Sequence, residues 1–115
     1  MFTKLRTVIY PVNDLERAKR WYTEVTGVTP YFDQPYYVGF DIHGAELGLD
    51  PDPEVLETGN RVISYWKVDS LSGALEKMTA LGAEISKPAQ EVGGGIQVAV
   101  VRDPFGNSLG LIQEP

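Results

Sequence analysis

Cysteine is absent from this chain of 115 residues, and histidine occurs once. Without cysteine the chain forms no disulfide and offers no thiolate, either as a nucleophile or as a metal ligand. No apolar run approaches the roughly 20 residues that span a bilayer, and the first residues contain no signal-peptide core. These absences predict a cytoplasmic protein that does not act at a membrane.

Positive charge is also scarce. Ten Lys and Arg residues are outnumbered by sixteen Asp and Glu residues, which gives a net charge of −6. Such a surface repels phosphate backbones, so nucleic acid is not expected as a partner. The length predicts a single domain with one hydrophobic core.

The two halves of the chain resemble each other. The segment VNDLERA at 12–18 is matched by VDSLSGA at 68–74, and LGL at 47–49 is matched by LGL at 109–111. In each half the apolar spacing predicts a strand, a helix and three further strands. We therefore predict an α+β fold in which two tandem βαβββ modules, 1–58 and 60–115, form one domain. The boundary is placed near Gly59, in a connector rich in Pro, Asp and Gly.

Helix-capping residues are present in both halves. Asn13, followed three residues later by Glu16, predicts a capping box for the first helix. Asp69 or Ser70 is suited to cap the second helix.

Alternation along the strands divides their side chains between two faces. One face of each sheet is expected to pack against the helix of its own half. In the last hairpin, Val98 and Val100 are assigned to this helix-covered face. Ala99 and Val101 are then assigned to the opposite face, together with Gly110. The residues of that opposite face are expected to decide function.

The segments VNDLERAKRWYTEVTG at 12–27 and RDPFGNSLGLIQ at 102–113, on a doubled βαβββ layout, resemble the vicinal oxygen chelate superfamily. This superfamily includes glyoxalase I, extradiol dioxygenases, fosfomycin-resistance enzymes and bleomycin-resistance proteins. The resemblance covers almost the whole chain. It implies two mixed sheets that form a U-shaped cleft, helices packed on the outside, and a homodimer.

The family's metal-dependent enzymes hold a divalent ion with His, Glu or Gln at four cleft-facing positions. Carried over by resemblance, these positions correspond to Thr7, Gly48, Ile63 and Gly110. None of the four is a good ligand for a transition metal. His43, the one histidine, falls in the predicted turn DIHGA, away from the cleft. We therefore predict no metal and no other cofactor.

The cleft is predicted to bind a small molecule through aromatic and apolar side chains. The predicted ligand-binding residues are Thr7, Ile9, Tyr37, Gly39, Glu46, Gly48, Ile63, Tyr65, Ala99, Val101, Ser108 and Gly110. A glycine inside a strand has two interpretations, which both stay open for Gly48 and Gly110. Either the two halves pack tightly there, or the glycines clear space for a ligand.

Three functions are compatible with these residues. The first is a metal-free binding protein for an apolar or aromatic small molecule, with a cationic group favoured by Glu46 and Asp50. The second is a glyoxalase-like lyase or isomerase that acts on a small carbonyl substrate. It would need Glu46 as general base, its pKa raised by burial beside Tyr37, and Tyr65 or Lys67 as oxyanion donor.

The third is a structural or regulatory domain without a ligand. Separately, the run at 93–95 is expected to be a flexible glycine loop, and whether it covers the cleft as a lid is left open.

Overall fold

The computed structural model describes residues 1–53 and 62–115. The predicted boundary near Gly59 lies outside these residues. The chain divides into two compact units, Met1–Asn60 and Arg61–Pro115, called unit 1 and unit 2 below. Both units contain a mixed four-stranded sheet and a helix, so the predicted α+β fold of tandem βαβββ modules is confirmed.

Unit 1 builds its sheet in the order β1-β4-β3-β2, with β1 parallel to β4 and the other pairs antiparallel. Its elements are β1 (Thr7–Pro11), α1 (Leu15–Thr26), β2 (Phe32–Gln34), β3 (Tyr37–Ile42) and β4 (Ala45–Asp50).

Unit 2 repeats this topology in the order β5-β8-β7-β6. Its elements are β5 (Tyr65–Lys67), α2 (Leu71–Ala80), β6 (Glu84–Gly93), β7 (Ile96–Arg102) and β8 (Ser108–Gln113). The first strand after the second helix is the ten-residue β6, which pairs with β7 and has three register irregularities along that pairing. Gly94 and Gly95 connect β6 to β7, and together with Gly93 at the end of β6 they have positive φ, which only glycine adopts readily.

Side chains cap both helices at their N-termini. The Asp14 carboxylate accepts the Arg17 N–H at 3.1 Å, so the first cap lies one residue later than the predicted Asn13. The Ser70 hydroxyl accepts the Gly73 N–H at 3.1 Å. Each cap satisfies a backbone donor that has no partner within the helix.

Apolar side chains fill the space between each helix and its sheet. In unit 1, α1 packs against β3 and β4. In unit 2, α2 packs against β6, β7 and β8. The buried apolar residues of unit 1 are Tyr10, Val12, Ala18, Trp21, Tyr22, Val38, Phe40, Leu47 and Leu49. Those of unit 2 are Leu71, Met78, Ala83, Ala99, Val101, Leu109 and Leu111, and Val100 is also buried but lies on the other side of the sheet.

The hairpin turns of the two units differ in length. In unit 1 two residues, His43 and Gly44, join β3 to β4, and both have positive φ. The predicted turn position of His43 is confirmed. In unit 2 five residues, 103–107, join β7 to β8, because Arg102 lies opposite Ser108.

This longer loop reverses the predicted faces of β7. Val101 lies opposite Leu109 and Ala99 opposite Leu111, so both lie on the core face. Their predicted placement beside Gly110 is therefore wrong, and Val100 lies opposite Gly110 instead. A one-residue difference in register turns every side chain of a strand to the other face.

Within the described ranges, no helix combines the length and the apolar character that a bilayer crossing requires.

The unit 2 loop is organised by the buried carboxylate of Asp103. It accepts backbone N–H groups of Phe105 at 2.9 Å and Asn107 at 2.7 Å, and the Asn107 side-chain amide at 3.1 Å. We expect Asp103→Ala to lower the free energy of unfolding by about 2–3 kcal/mol, because these half-buried donors lose a charged acceptor.

The control is Asp41→Ala at the equivalent turn, where the exposed carboxylate accepts only the Gly44 N–H among the described residues. It should cost about 1 kcal/mol or less. Urea unfolding of both variants measures the difference, and equal losses would show that the Asp103 bonds do not organise the loop.

Candidate functional site

One side of the unit 1 sheet, opposite the buried core residues, brings six of the predicted site residues together. Register pairs Thr7 with Glu46, and Gly48 with both Ile9 and Gly39. The name glycine face is used for seven residues of this side, which are Thr7, Ile9, Tyr37, Gly39, Asp41, Glu46 and Gly48. Phe32 of β2 lies on the same side, opposite Gly39. Sequence alternation alone was sufficient to group most of these residues, because a strand repeats its faces every two residues.

The ring of Tyr37 lies across Gly48. A Cβ atom at Gly48 would stand 2.5 Å from Tyr37 Cζ and closer still to its hydroxyl oxygen, so no side chain fits there while the ring keeps its place. The space above Gly48 is therefore filled by a tyrosine of the same unit. The sequence left two interpretations open, which were tight packing between the two halves and empty space for a ligand. The packing of Tyr37 on Gly48 differs from both.

Glu46 is the hydrogen-bonding centre of the glycine face. Its carboxylate accepts the hydroxyl of Tyr37 at 2.7 Å through Oε2 and the hydroxyl of Tyr31 through Oε1. Arg6 Nη1 lies 3.8 Å from Oε2 and donates to Thr7 Oγ1 at 2.7 Å. The Glu46 side chain is only 13% exposed, so these donors take the place of water.

These partners keep Glu46 ionised. The hydrogen bond from Tyr31 lowers the pKa of Glu46, and Tyr37, Arg6 and Thr7 act in the same direction, against the effect of burial. Burial, together with the bond to Glu46, raises the pKa of Tyr37. Glu46 does lie beside Tyr37, but the raised pKa that the lyase alternative would need is not found, because the donors outweigh desolvation and lower the pKa of Glu46.

A hollow of about 390 Å³ opens at one end of the glycine face, lined by Arg6, Tyr31, Asp41, Gly44 and Glu46. Only Glu46 was among the predicted site residues. Asp41 follows Gly39 by two residues, so alternation could have identified it. Arg6 and Tyr31 lie outside the strands, where no periodic signal exists.

Unit 2 has a similar tyrosine and glycine pair. Tyr65 lies opposite Gly110, and a Cβ atom at Gly110 would stand 2.5 Å from Tyr65 Cδ1. Here the ring is 47% exposed, and its hydroxyl has no hydrogen-bond partner in the part of the chain that the structure describes. The sequence position equivalent to Glu46 is the exposed Ser108.

The remaining predicted site residues are dispersed. Ile63 precedes β5 and belongs to no strand, while Ala99 and Val101 lie on the core face. Lys67 is exposed and lies 3.4 Å from Glu114. Whether any of the predicted residues binds a ligand stays a prediction.

The four family metal positions do not suit a metal ion. Thr7 has one neutral oxygen, Ile63 is hydrocarbon, and Gly48 and Gly110 have tyrosine rings where a ligand side chain would extend. Divalent transition metals need imidazole, thiolate or carboxylate donors. Among residues 1–53 and 62–115, no three His, Cys, Asp or Glu side chains are grouped to hold an ion.

A family model for the Glyoxalase/Bleomycin resistance protein/Dioxygenase superfamily matches residues 4–111. The chain belongs to this superfamily. The resemblance inferred from the sequence motifs is thereby confirmed, and it covers both units.

Solved structures show the same fold. A glyoxalase-related enzyme from Fulvimarina pelagi has a TM-score of 0.81 at 20% identity, over 99% of this chain and 90% of that chain. A glyoxalase/bleomycin resistance protein/dioxygenase family enzyme from Burkholderia phytofirmans PsJN has a TM-score of 0.82 at 19% identity, over 98% and 100%.

TioX from Micromonospora sp. ML1 has a TM-score of 0.75 at 21% identity, over 98% and 100%. No curated protein matches the chain significantly. At these identities the similarity establishes the fold alone, because one fold serves many functions.

The two glycines should respond differently to alanine. Gly48→Ala displaces Tyr37 and breaks its bond to Glu46, so we expect a loss of about 2 kcal/mol in unfolding free energy. Gly110→Ala displaces a half-exposed ring that has no hydrogen bond, so its loss should stay within about 1 kcal/mol. Urea unfolding measures both variants, and equal costs would contradict the role given to Glu46.

Acidification should remove the contribution of Glu46 to stability. Its pKa is lower in the folded chain than its ordinary value, so this contribution is present above about pH 4.5 and is lost as pH falls through the folded value. We expect Glu46→Gln to lose less stability than the parent protein between pH 6 and pH 3 in urea unfolding. Glu24→Gln, at an exposed residue of α1, is the charge-matched control and should follow the parent.

Proposed function

We propose that the protein is a metal-free binding protein for an aromatic or apolar small molecule, and that the glycine face of unit 1 forms at least part of its site. Membership of the superfamily supports a small-molecule site on these strands. The residues of this chain support the more specific part of the proposal, which is that aromatic side chains rather than a metal ion bind the ligand.

The packing of Tyr37 on Gly48 is the observation that carries the proposal. At this position the family's metal enzymes need an extended donor side chain, whereas this chain has a glycine and a ring that excludes any such side chain. Tyr65 on Gly110 repeats the arrangement. In both places an aromatic ring stands where a coordinating group would be required, and aromatic rings are frequent in the walls of organic-ligand sites.

Further aromatic surface lies next to the glycine face. Tyr31 is 60% exposed, and Phe32 lies with its ring centroid 6.1 Å from that of Tyr37 and also 6.1 Å from that of Tyr36. Ile9, on the glycine face itself, is 48% exposed. Tyr31 and Phe32 are neighbours at one edge of the sheet, and Ile9 lies on β1 at the other edge. Exposed apolar groups on one side of a sheet commonly mark a binding surface.

The same geometry argues against Glu46 as a catalytic base. Both carboxylate oxygens accept tyrosine hydroxyls, and the pKa of Glu46 is lowered by them. An effective general base at neutral pH needs a pKa near the working pH. The lyase or isomerase alternative therefore has less support at Glu46 than binding does.

A thermal-shift screen tests the proposal. We expect 2-naphthol and benzylammonium to raise the melting temperature, since a ligand at 100 times its Kd adds about 2.7 kcal/mol of stability. Ni²⁺, Mn²⁺ and Zn²⁺ should have no such effect. Tyr31→Ala should reduce the response to the aromatic compounds, while Val92→Ala, at an exposed residue of unit 2, should not. Stabilisation by a divalent metal, with turnover that depends on it, would refute the proposal.

A further inference from the structure

Apart from Arg6, the polar groups that line the hollow are acceptors or donate their protons within the unit. The Tyr31 hydroxyl donates to Glu46, and the Gly44 N–H donates to Asp41 Oδ1 at 2.9 Å. A tyrosine hydroxyl has one proton, so once that proton is given to Glu46 its oxygen can only accept. The carboxylates of Asp41 and Glu46 are acceptors as well. A ligand in the hollow therefore meets hydrogen-bond acceptors at the Tyr31 hydroxyl and at both carboxylates.

Arg6 is the exception among the lining residues. Its guanidinium has several N–H groups, but its side chain is 76% exposed and it approaches Glu46 only to 3.8 Å. An exposed ion pair of this kind contributes little and is easily separated. The Arg6 guanidinium therefore places a positive charge near the carboxylate of Glu46. Because it is held there weakly, the cationic group of a ligand is able to take its place.

We propose that this hollow binds the amidinium or ammonium group of a small aromatic cation, and that Arg6 sets specificity as an internal competitor for Glu46. This inference rests on the proposed function. Two carboxylates and the exposed ring of Tyr31 surround the cation, and a ring face attracts positive charge. The volume of about 390 Å³ falls within the usual range of small-ligand sites, roughly 300–1,000 Å³.

Isothermal titration calorimetry with benzamidinium and its neutral analogue benzamide tests the inference. Arg6→Gln should bind benzamidinium more tightly, by about fivefold, because the competing charge is gone. Benzamide should bind the parent and Arg6→Gln equally. Glu46→Gln should weaken benzamidinium at least about tenfold. Circular dichroism checks whether each variant is folded. If Glu46→Gln does not fold, the affinity of Arg6→Gln still decides the question, because Arg6 is exposed and its substitution should not disturb the fold.

Lys4→Gln is the matched control for net charge. Lys4 Nζ lies 3.5 Å from the Gly44 carbonyl oxygen, so this change removes a neighbouring positive charge that is not paired with Glu46. It should alter benzamidinium affinity by less than about twofold, since exposed charges are largely screened by salt. An equal gain in Lys4→Gln and Arg6→Gln would overturn the competitor role, because net charge alone would then explain both.

Two further outcomes would overturn the inference. In the first, the parent protein binds benzoate more tightly than benzamidinium, and Arg6→Gln loses the binding of benzoate. Arg6 would then be the binding group for an anion. Equal affinity for benzamide and benzamidinium in every variant would reject the cationic class and leave the proposed function intact. If neither probe binds, the inference fails, and the response to 2-naphthol in the thermal-shift screen shows whether the proposed function fails with it.

Discussion

A tyrosine ring packed onto a strand glycine is the constraint on which the site depends. The ring of Tyr37 and a side chain at position 48 compete for the same volume, as do the ring of Tyr65 and a side chain at position 110. A strand glycine is usually unfavourable, but a neighbouring aromatic ring that covers its backbone offsets part of the cost. The tyrosine and a coordinating side chain are therefore alternatives, and this member of the superfamily has the tyrosine in both units.

The two units share this packing but differ in what holds the ring. Tyr37 is held by a hydrogen bond to the mostly buried carboxylate of Glu46, whereas Tyr65 has Ser108 at the equivalent position and is half-exposed. Charge-assisted hydrogen bonds are about twice as strong as neutral ones, so the unit 1 ring is the more firmly placed. The two tyrosines come from different strands, Tyr37 from β3 and Tyr65 from β5, whose counterpart in unit 1 is β1. Both units therefore cover a strand glycine with a ring, and among the described residues the polar network around the ring is found in unit 1.

The sequence was enough to predict the α+β fold, the repeat and the glycine face, because these follow from periodic apolar residues and matched segments. It was not enough for β7, where a five-residue loop instead of a two-residue turn reversed the faces of Ala99 and Val101. It also missed Arg6 and Tyr31, which reach Glu46 from outside any strand. Hydrogen bonds between distant residues leave no periodic signal, so the direction of the Glu46 pKa was beyond sequence reasoning. The predicted cleft between the two sheets stays a prediction.

The network around Glu46 connects the lowered pKa of this residue to the kind of ligand proposed for the hollow. Tyr31 and Tyr37 donate their hydroxyl protons to Glu46, and these bonds stabilise the carboxylate and make it a weaker base. The same donation leaves the hydroxyl oxygens able only to accept. A ligand that meets this surface gains most if it brings donors and positive charge, because unmatched acceptors lose their water without compensation. One arrangement of protons thus disfavours proton abstraction by Glu46 and supports the proposed binding of a cation.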